Sequence, residues 1–290
     1  MRLVIKFNLA LVAAFLVGFV AAGLVSRGLL QENARQEVLQ NARMIMASAS
    51  ASRSYTSAQV APLLRQLPTD DFLPQTVPAF GATEQFNTLH SQFPDFSYKE
   101  ATLNPTNLRD KATDWEADIV QRFRQVPDQT ELAVERETPT GRSLALAKPI
   151  RIDDPDCLTC HSTVDAAPKS LLSKYGPANG FGWKLHDVIG AQVVSVPMSL
   201  PMHRAETAFY TFMTSMAGIF LVIFILLNVM LTLIVVRRVT RLARVADEVS
   251  MGKLDAAELP AEGKDELSRL AQSFNRMKKS LAHAIKMLEE

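Results

Sequence analysis

Only two cysteines occur in the 290 residues, and they stand three positions apart, at Cys157 and Cys160. A structural zinc site wants four nitrogen or sulfur ligands in paired motifs, so two thiols alone do not supply one. Charge of one sign is equally scarce. Thirty-one Lys and Arg against thirty Asp and Glu leave a formal net charge of +1. That balance gives no general reason to expect a nucleic-acid partner. Nothing resembles a P-loop, a kinase phosphoacceptor region or a cyclase-like domain, and no catalytic constellation is visible, so no enzyme activity is expected. Proline and glycine are absent from Leu29 to Tyr55, and charge is absent from Ala208 to Val236. The first absence permits a long helix, and the second permits a membrane span.

What is present begins with Cys157-Leu158-Thr159-Cys160-His161, the C-x-x-C-H attachment pattern of a c-type haem. Two thiols about one turn apart can each form a thioether to a haem vinyl group, and the adjacent imidazole then becomes the proximal iron ligand. A redox dithiol is the other reading. It explains neither the histidine nor the lack of a visible βαβ unit around the pair. One haem c per chain is therefore expected, on Cys157, Cys160 and His161.

Two apolar blocks decide the class of protein. Phe7 to Val25 is led by Arg2 and Lys6 and interrupted only by Asn8. At roughly 19 residues it is just long enough to span the hydrocarbon. It also reads as a secretory signal with a weak cleavage site at Val20-Ala21-Ala22. An uncleaved helix is favoured because a second span follows. That span, Ala208 to Val236, has Asn228 as its lone amide: a polar helix–helix contact or an unremarkable side chain. Arg237, Arg238, Arg241 and Arg244 crowd its end. The positive-inside rule then puts both termini in the cytoplasm and the intervening segment outside. Haem attachment takes place on that outer side in bacteria, which points to a two-pass protein of the inner membrane. The expected division is 1–28 first membrane helix, 29–206 periplasmic haem domain, 207–236 second membrane helix and 237–290 cytoplasmic domain.

Within the periplasmic segment, Leu29 to Tyr55 reads helical, with apolar residues at Val38, Leu39, Ala42, Ile45, Met46 and Ala49. Prolines and aromatics from Pro62 to Pro127 predict short elements and ordered loops, with a helix over Asp114 to Gln125. Strand-like runs follow, with Thr138-Pro139-Thr140-Gly141 as a turn before Ser143 to Ala147. Gly180-Phe181-Gly182-Trp183 leads to Val188-Ile189-Gly190. Gln192 to Pro197 then reads as a central strand ended by proline. The fold class is α+β.

Between about Ala34 and Met202 the chain resembles the single-haem, PAS-like periplasmic sensor domains that lie between two membrane helices in bacterial transducers. The carriers are Arg53-Ser54-Tyr55, Tyr98-Lys99-Glu100, Asn104-Pro105-Thr106-Asn107, Ala112 to Glu116, Cys157 to His161, and Tyr175-Gly176 to Pro197. The resemblance implies a haem beside a small antiparallel sheet, packed against the long N-terminal helix. It also implies a second axial ligand from that helix, where a cysteine can serve. This chain has no cysteine there. Met46, on the apolar face with Ile45 and Ala49, is the first distal candidate and Met44 the next, against the alternative that both fill core gaps. His90, His186 and His203 are the imidazole competitors, and an open iron site that binds a diatomic gas is the remaining reading. Arg53, Tyr55 and Lys99 are candidates to pair with haem propionates or are ordinary surface charges. Trp183 reads as core beside the haem.

The last segment, Arg237 to Glu290, has the layout of a HAMP linker. A first amphipathic helix carries Leu242, Val245 and Val249 on one stripe and is ended by Gly252. A connector with Leu254, Leu259 and Pro260 follows, and Asp265-Glu266-Leu267 opens a second helix. Leu267, Phe274, Leu281 and Leu288 fall at one heptad core position, and Leu270, Met277 and Ala284 at the other. That alternation demands a partner helix and predicts a homodimeric coiled coil. Asp265 to Ala271 and Phe274 to Met277 resemble the second HAMP helix. The proline usual near the membrane exit is replaced by Val239-Thr240, and His283 reads as solvated. The predicted function is a haem sensor and transducer that passes a redox or gas-binding event through HAMP to a separate cytoplasmic partner. The alternative is a membrane-anchored monohaem electron-transfer cytochrome serving a redox partner.

Overall fold

A computed structural model of the chain describes residues 3–289 apart from Thr140 and Leu254. Arg2 of the basic flank, Thr140 of the expected turn and Leu254 of the expected connector lie outside the described residues, as does the side chain of Leu288. The chain forms two compact units, Arg27–Ala208 and a second from Met1–Ser26 with Phe209–Glu290.

The Arg27–Ala208 unit is mixed α and β. Its sheet has the order β1-β4-β3-β2, formed by β1 (Ser97–Thr102), β2 (Leu132–Thr138), β3 (Gly141–Arg151) and β4 (Val188–Pro197). All three pairings are antiparallel. Side chains alternate across a strand, so each strand supplies two faces. Leu144, Leu146, Val194 and Val196 pack with Tyr98 on one face. Ala145, Ala147, Ala191 and Val193 take the other. The face with the larger side chains meets α1 (Leu3–Tyr55), through Val38, Ala42, Met46 and Ala49, each fully buried. Their spacing of three and four residues makes a single helical stripe.

Besides the short helices α2 (Ala61–Leu64) and α6 (Lys169–Tyr175), the unit has α3 (Pro78–Gln92), which packs Ala82 and Phe86 into the same core, with the Phe86 and Tyr98 rings 4.9 Å apart. The sequence suggested only short elements here. Pro78 sits in the first helical turn, where its missing N–H costs nothing, so it starts a helix. On the alanine face lies α4 (Asp114–Gln125), held by Ile119, Val120 and Phe123, with the boundaries expected from sequence. Thr113 caps it: the Glu116 carboxylate accepts from the Thr113 backbone N–H at 2.8 Å.

In the second unit, the apolar start of α1 and α7 (Ser199–Met230) carry stacked Phe15 and Phe220 rings at 4.8 Å. Among the described residues two helical stretches are long and apolar enough to cross a membrane, Val4–Leu64 and Ser199–Ser250, whose apolar segments reach mean hydropathy 2.5 and 3.2. Asn228 donates to the Phe224 carbonyl of its own helix at 2.9 Å, while Asn8 Oδ1 is buried without a partner among the described residues. A π-helical stretch, Leu231–Val236, joins α7 to α8 (Arg237–Ser250). Gly252, at φ +85°, then ends the helix as a left-handed C-terminal glycine. The final helix, α9 (Glu266–Glu289), starts at Asp265, whose carboxylate accepts from Ser268 N at 2.7 Å. Val245 and Val249 pack with Leu259 and Ala271. Asn275 pins the connector with two hydrogen bonds to the Leu259 backbone, at 2.9 and 3.1 Å, a role the sequence did not disclose.

Candidate haem-binding segment

The C-x-x-C-H residues lie on a short spiral built by their neighbours. Asp154 accepts from the Asp156 backbone N–H at 2.9 Å and starts a 3₁₀ turn, Pro155–Cys157, which runs directly into α5 (Leu158–His161). Residues three apart on such a spiral share one side. Both thiols are free and partly exposed. Burial pushes the Cys157 thiol up; Asp154 adds to this and Arg53 opposes it. Burial likewise raises Cys160, opposed by Arg65.

His161 is fixed from outside its own helix. Its Nδ1 lies 2.7 Å from the Gly180 carbonyl oxygen. A carbonyl can only accept, so the hydrogen sits on Nδ1 and the Nε2 lone pair of the neutral ring is left available. Burial lowers the imidazole pKa, which favours that neutral form, and the Gly180 bond acts against it. The Gly180 to Trp183 loop completes the mount. Gly182 N and Trp183 N donate to the Ser162 and His161 carbonyls at 2.9 and 3.2 Å, and the Trp183 ring stacks on the imidazole at 3.9 Å. Gly180 has φ +87°, and a Cβ there would come within 2.1 Å of Thr106 Oγ1. Asn104 fastens the loop to the end of β1 by accepting from Gly180 N at 3.3 Å.

These features fit a covalently held haem. Two unpaired thiols are spaced for two thioethers, and one imidazole presents Nε2 with its other nitrogen already anchored. Among the described residues no group of three or more His, Cys, Asp or Glu is arranged to hold a bare metal ion.

The other sequence candidates fall elsewhere. Met46 is fully buried in the core with Val38, Phe86, Tyr98 and Leu146, and Met44 is 66% exposed. The stripe that made Met46 attractive is the stripe α1 uses to pack on the sheet. His90 Nδ1 pairs with the Phe96 carbonyl, His186 faces Asp153 at the surface, and His203 is exposed. Lys99 is committed to Glu116 and the Lys111 carbonyl, both at 2.8 Å, and Tyr55 is exposed.

Of the three propionate candidates, Arg53 is the one whose charge acts on the Cys157 thiol. Its Nη1 donates to Glu100 Oε2, and Tyr98 Oη donates to Oε1 of the same carboxylate at 2.8 Å. Burial works against the Arg53 charge, but Glu100 outweighs it and holds the guanidinium pKa above its ordinary value. A separate cavity of about 310 Å³ is lined by Asn87, His90, Tyr98, Lys99, Arg109 and Asp110, with no C-x-x-C-H residue on its wall. Burial pushes the Asp110 carboxyl up to about 6, with the Arg109 charge only partly opposing it.

Residues 31–197, more than half of the chain, match the Tll0287-like family. Residues 230–283 match the HAMP domain. Among solved structures, the crystal structure of the cyanobacterial haem-protein Tll0287 is similar at 15% identity and a TM-score of 0.43, over 56% of this chain and 95% of that one. No curated protein matches.

Proposed function

The chain belongs to the Tll0287-like family, and on that premise we propose that it is a membrane-bound c-type haem sensor whose output passes through its HAMP domain. The observation that carries the reading is the His161 mount: two free thiols on one spiral, and an imidazole whose Nδ1 is bound to the Gly180 carbonyl so that Nε2 remains for iron. When bound, the haem supplies an iron that changes charge on reduction or takes up a diatomic gas. Cys157 and Cys160 tether it, His161 orients it, and Trp183 covers one face of the imidazole.

The reading is of a transducer and not of an enzyme. The spans orient by their basic flanks, with Lys6 before the first and Arg237 to Arg244 after the second, both cytoplasmic, and with the haem domain in the periplasm of the inner membrane. Exposed Leu270, Met277 and Leu281 on α9 support a second copy of the chain as the HAMP partner, with a separate cytoplasmic protein reading the coil. The second reading is a membrane-anchored electron-transfer cytochrome. The HAMP match argues for transduction, because an electron carrier has no use for that linker. The direct test is expression of the full chain with the c-type maturation apparatus, followed by a pyridine haemochrome spectrum after denaturation. Haem that stays with the polypeptide, and no longer does so in Cys157→Ser/Cys160→Ser, is the expected result. Haem lost on denaturation from the wild type overturns the reading. Spectra with CO and NO then separate redox from gas sensing.

A further inference from the structure

Glu100 has the position of a charge that its surroundings are built to keep. Its side chain is only 5% exposed, and a carboxylate that deep is costly unless paired and hydrogen-bonded. Both oxygens are satisfied from different elements: Arg53 from α1 and Tyr98 from β1. Glu100 also stands on the strand whose continuation supplies Asn104 and Thr106, the residues that hold Gly180 and approach His161 Nδ1 at 3.5 Å. Arg53 commits Nη1 to Glu100, and none of its other N–H groups is hydrogen-bonded among the described residues. A guanidinium carries five donors in a rigid fork, so this one is left able to face a second acceptor.

Resting on the proposed haem reading, we propose that Arg53, clamped on the Glu100–Tyr98 pair beside the strand whose continuation holds the His161 loop, is a positioning residue that fixes the charge at the end of α1 and sets how readily haem held on His161 is reduced. The physical reason is a competition. The buried Glu100 charge opposes the gain of an electron nearby, and the Arg53 charge favours it. An electron delivered by an external one-electron donor adds negative charge to the haem, which then competes with Glu100 for the Arg53 charge. Arg53 belongs to α1, so the redox state is registered on the helix that runs on to the first span.

The test is a potentiometric titration of the full-length, haem-loaded protein in four variants beside the wild type. Glu100→Gln is expected to raise the midpoint potential and Arg53→Gln to lower it. Arg53→Lys is expected to stay near the wild type, and the double variant Arg53→Gln/Glu100→Gln to fall between the two single ones. Loosened packing alone would move both single variants the same way, because each would admit water to the haem. Shifts of one sign, or no shift in either, overturn the proposal. Should Arg53→Gln fail to accumulate, the opposition of Glu100→Gln to Arg53→Lys decides it: no rise in the former, or an equal rise in the latter, is the overturning result. Absence of covalent haem from the wild type would instead defeat the haem reading, an outcome distinct from unshifted potentials in proteins that carry it.

Discussion

A single carbonyl decides what His161 can offer. The Gly180 oxygen holds the Nδ1 hydrogen, and Gly180 itself fits only because it has no Cβ. In the proposed haem-loaded protein, Gly180→Ala is therefore expected to displace the loop, disturb the imidazole and change the haem absorption spectrum while leaving the haem on the polypeptide, as read by absorption before and after denaturation. Met46 has the opposite character. Met46→Ala is expected to cost about 2–5 kcal/mol in denaturant unfolding, as for a fully buried side chain, with the spectrum unchanged. A change of coordination in that variant would instead make its sulfur the distal ligand.

Asp110 gives a pH test. Its carboxyl rises from the ordinary 3.8 to about 6, mainly through burial, with Arg109 opposing. Between those values the folded protein holds more protons than the unfolded chain, so stability falls as pH rises through that window. Asp110→Asn is expected to raise the unfolding free energy at neutral pH by on the order of 1 kcal/mol after solvent screening, and to lose the gain below 3.8. The C-x-x-C-H pattern was legible in sequence because it lies within five consecutive residues. The Gly180 contact was not, because it joins residues 19 positions apart through a loop.

At the scale of elements, what could be read locally was read well and what depends on distant pairing was not. The α4 boundaries were read from sequence, and the structure adds the Thr113–Glu116 cap that fixes its start. Thr113→Ala is expected to cost about 1 kcal/mol, measurable as a lowered urea midpoint at unchanged slope. The sheet order is different in kind. β1 pairs with β4, so Ser97 meets Ser195 and Thr102 meets Gly190, and no periodicity in either strand announces the other. Gly190 shows how close that pairing is, since a Cβ there would stand 2.4 Å from the Ala101 carbonyl oxygen. Gly190→Val is expected to part the two strands and speed amide exchange along β1. The Met46 stripe carries a packing role that its periodicity could not separate from ligation, for a related reason. A helix face tells that something lies opposite, and here the sheet lies opposite, with Leu146 and Val194.

For the whole molecule, α9 packs only part of its apolar residues within the chain. Ala271 and Phe274 serve the packing on α8 and the connector, while Leu270 and Met277 stay 50% and 56% exposed. Leu270→Glu/Met277→Glu is accordingly expected to abolish cross-linking between copies in membranes while leaving each chain folded and haem-loaded. The heptads disclosed Phe274, Leu270 and Met277 but not Ala271, and could not say which of them pack within the chain. The π-helical stretch at Leu231–Val236 was not foreseen; the missing proline, at Val239-Thr240, falls three residues later, inside α8. Such a stretch accommodates one more residue than an α-helix of the same rise, and one residue corresponds to about 100° of helical phase. It is a slack of one residue held between span and signalling helix. Tightening it to α-helical winding would turn α8 about its own axis with no bend at all, and removing Leu233 would take up the slack with α8 still facing as before.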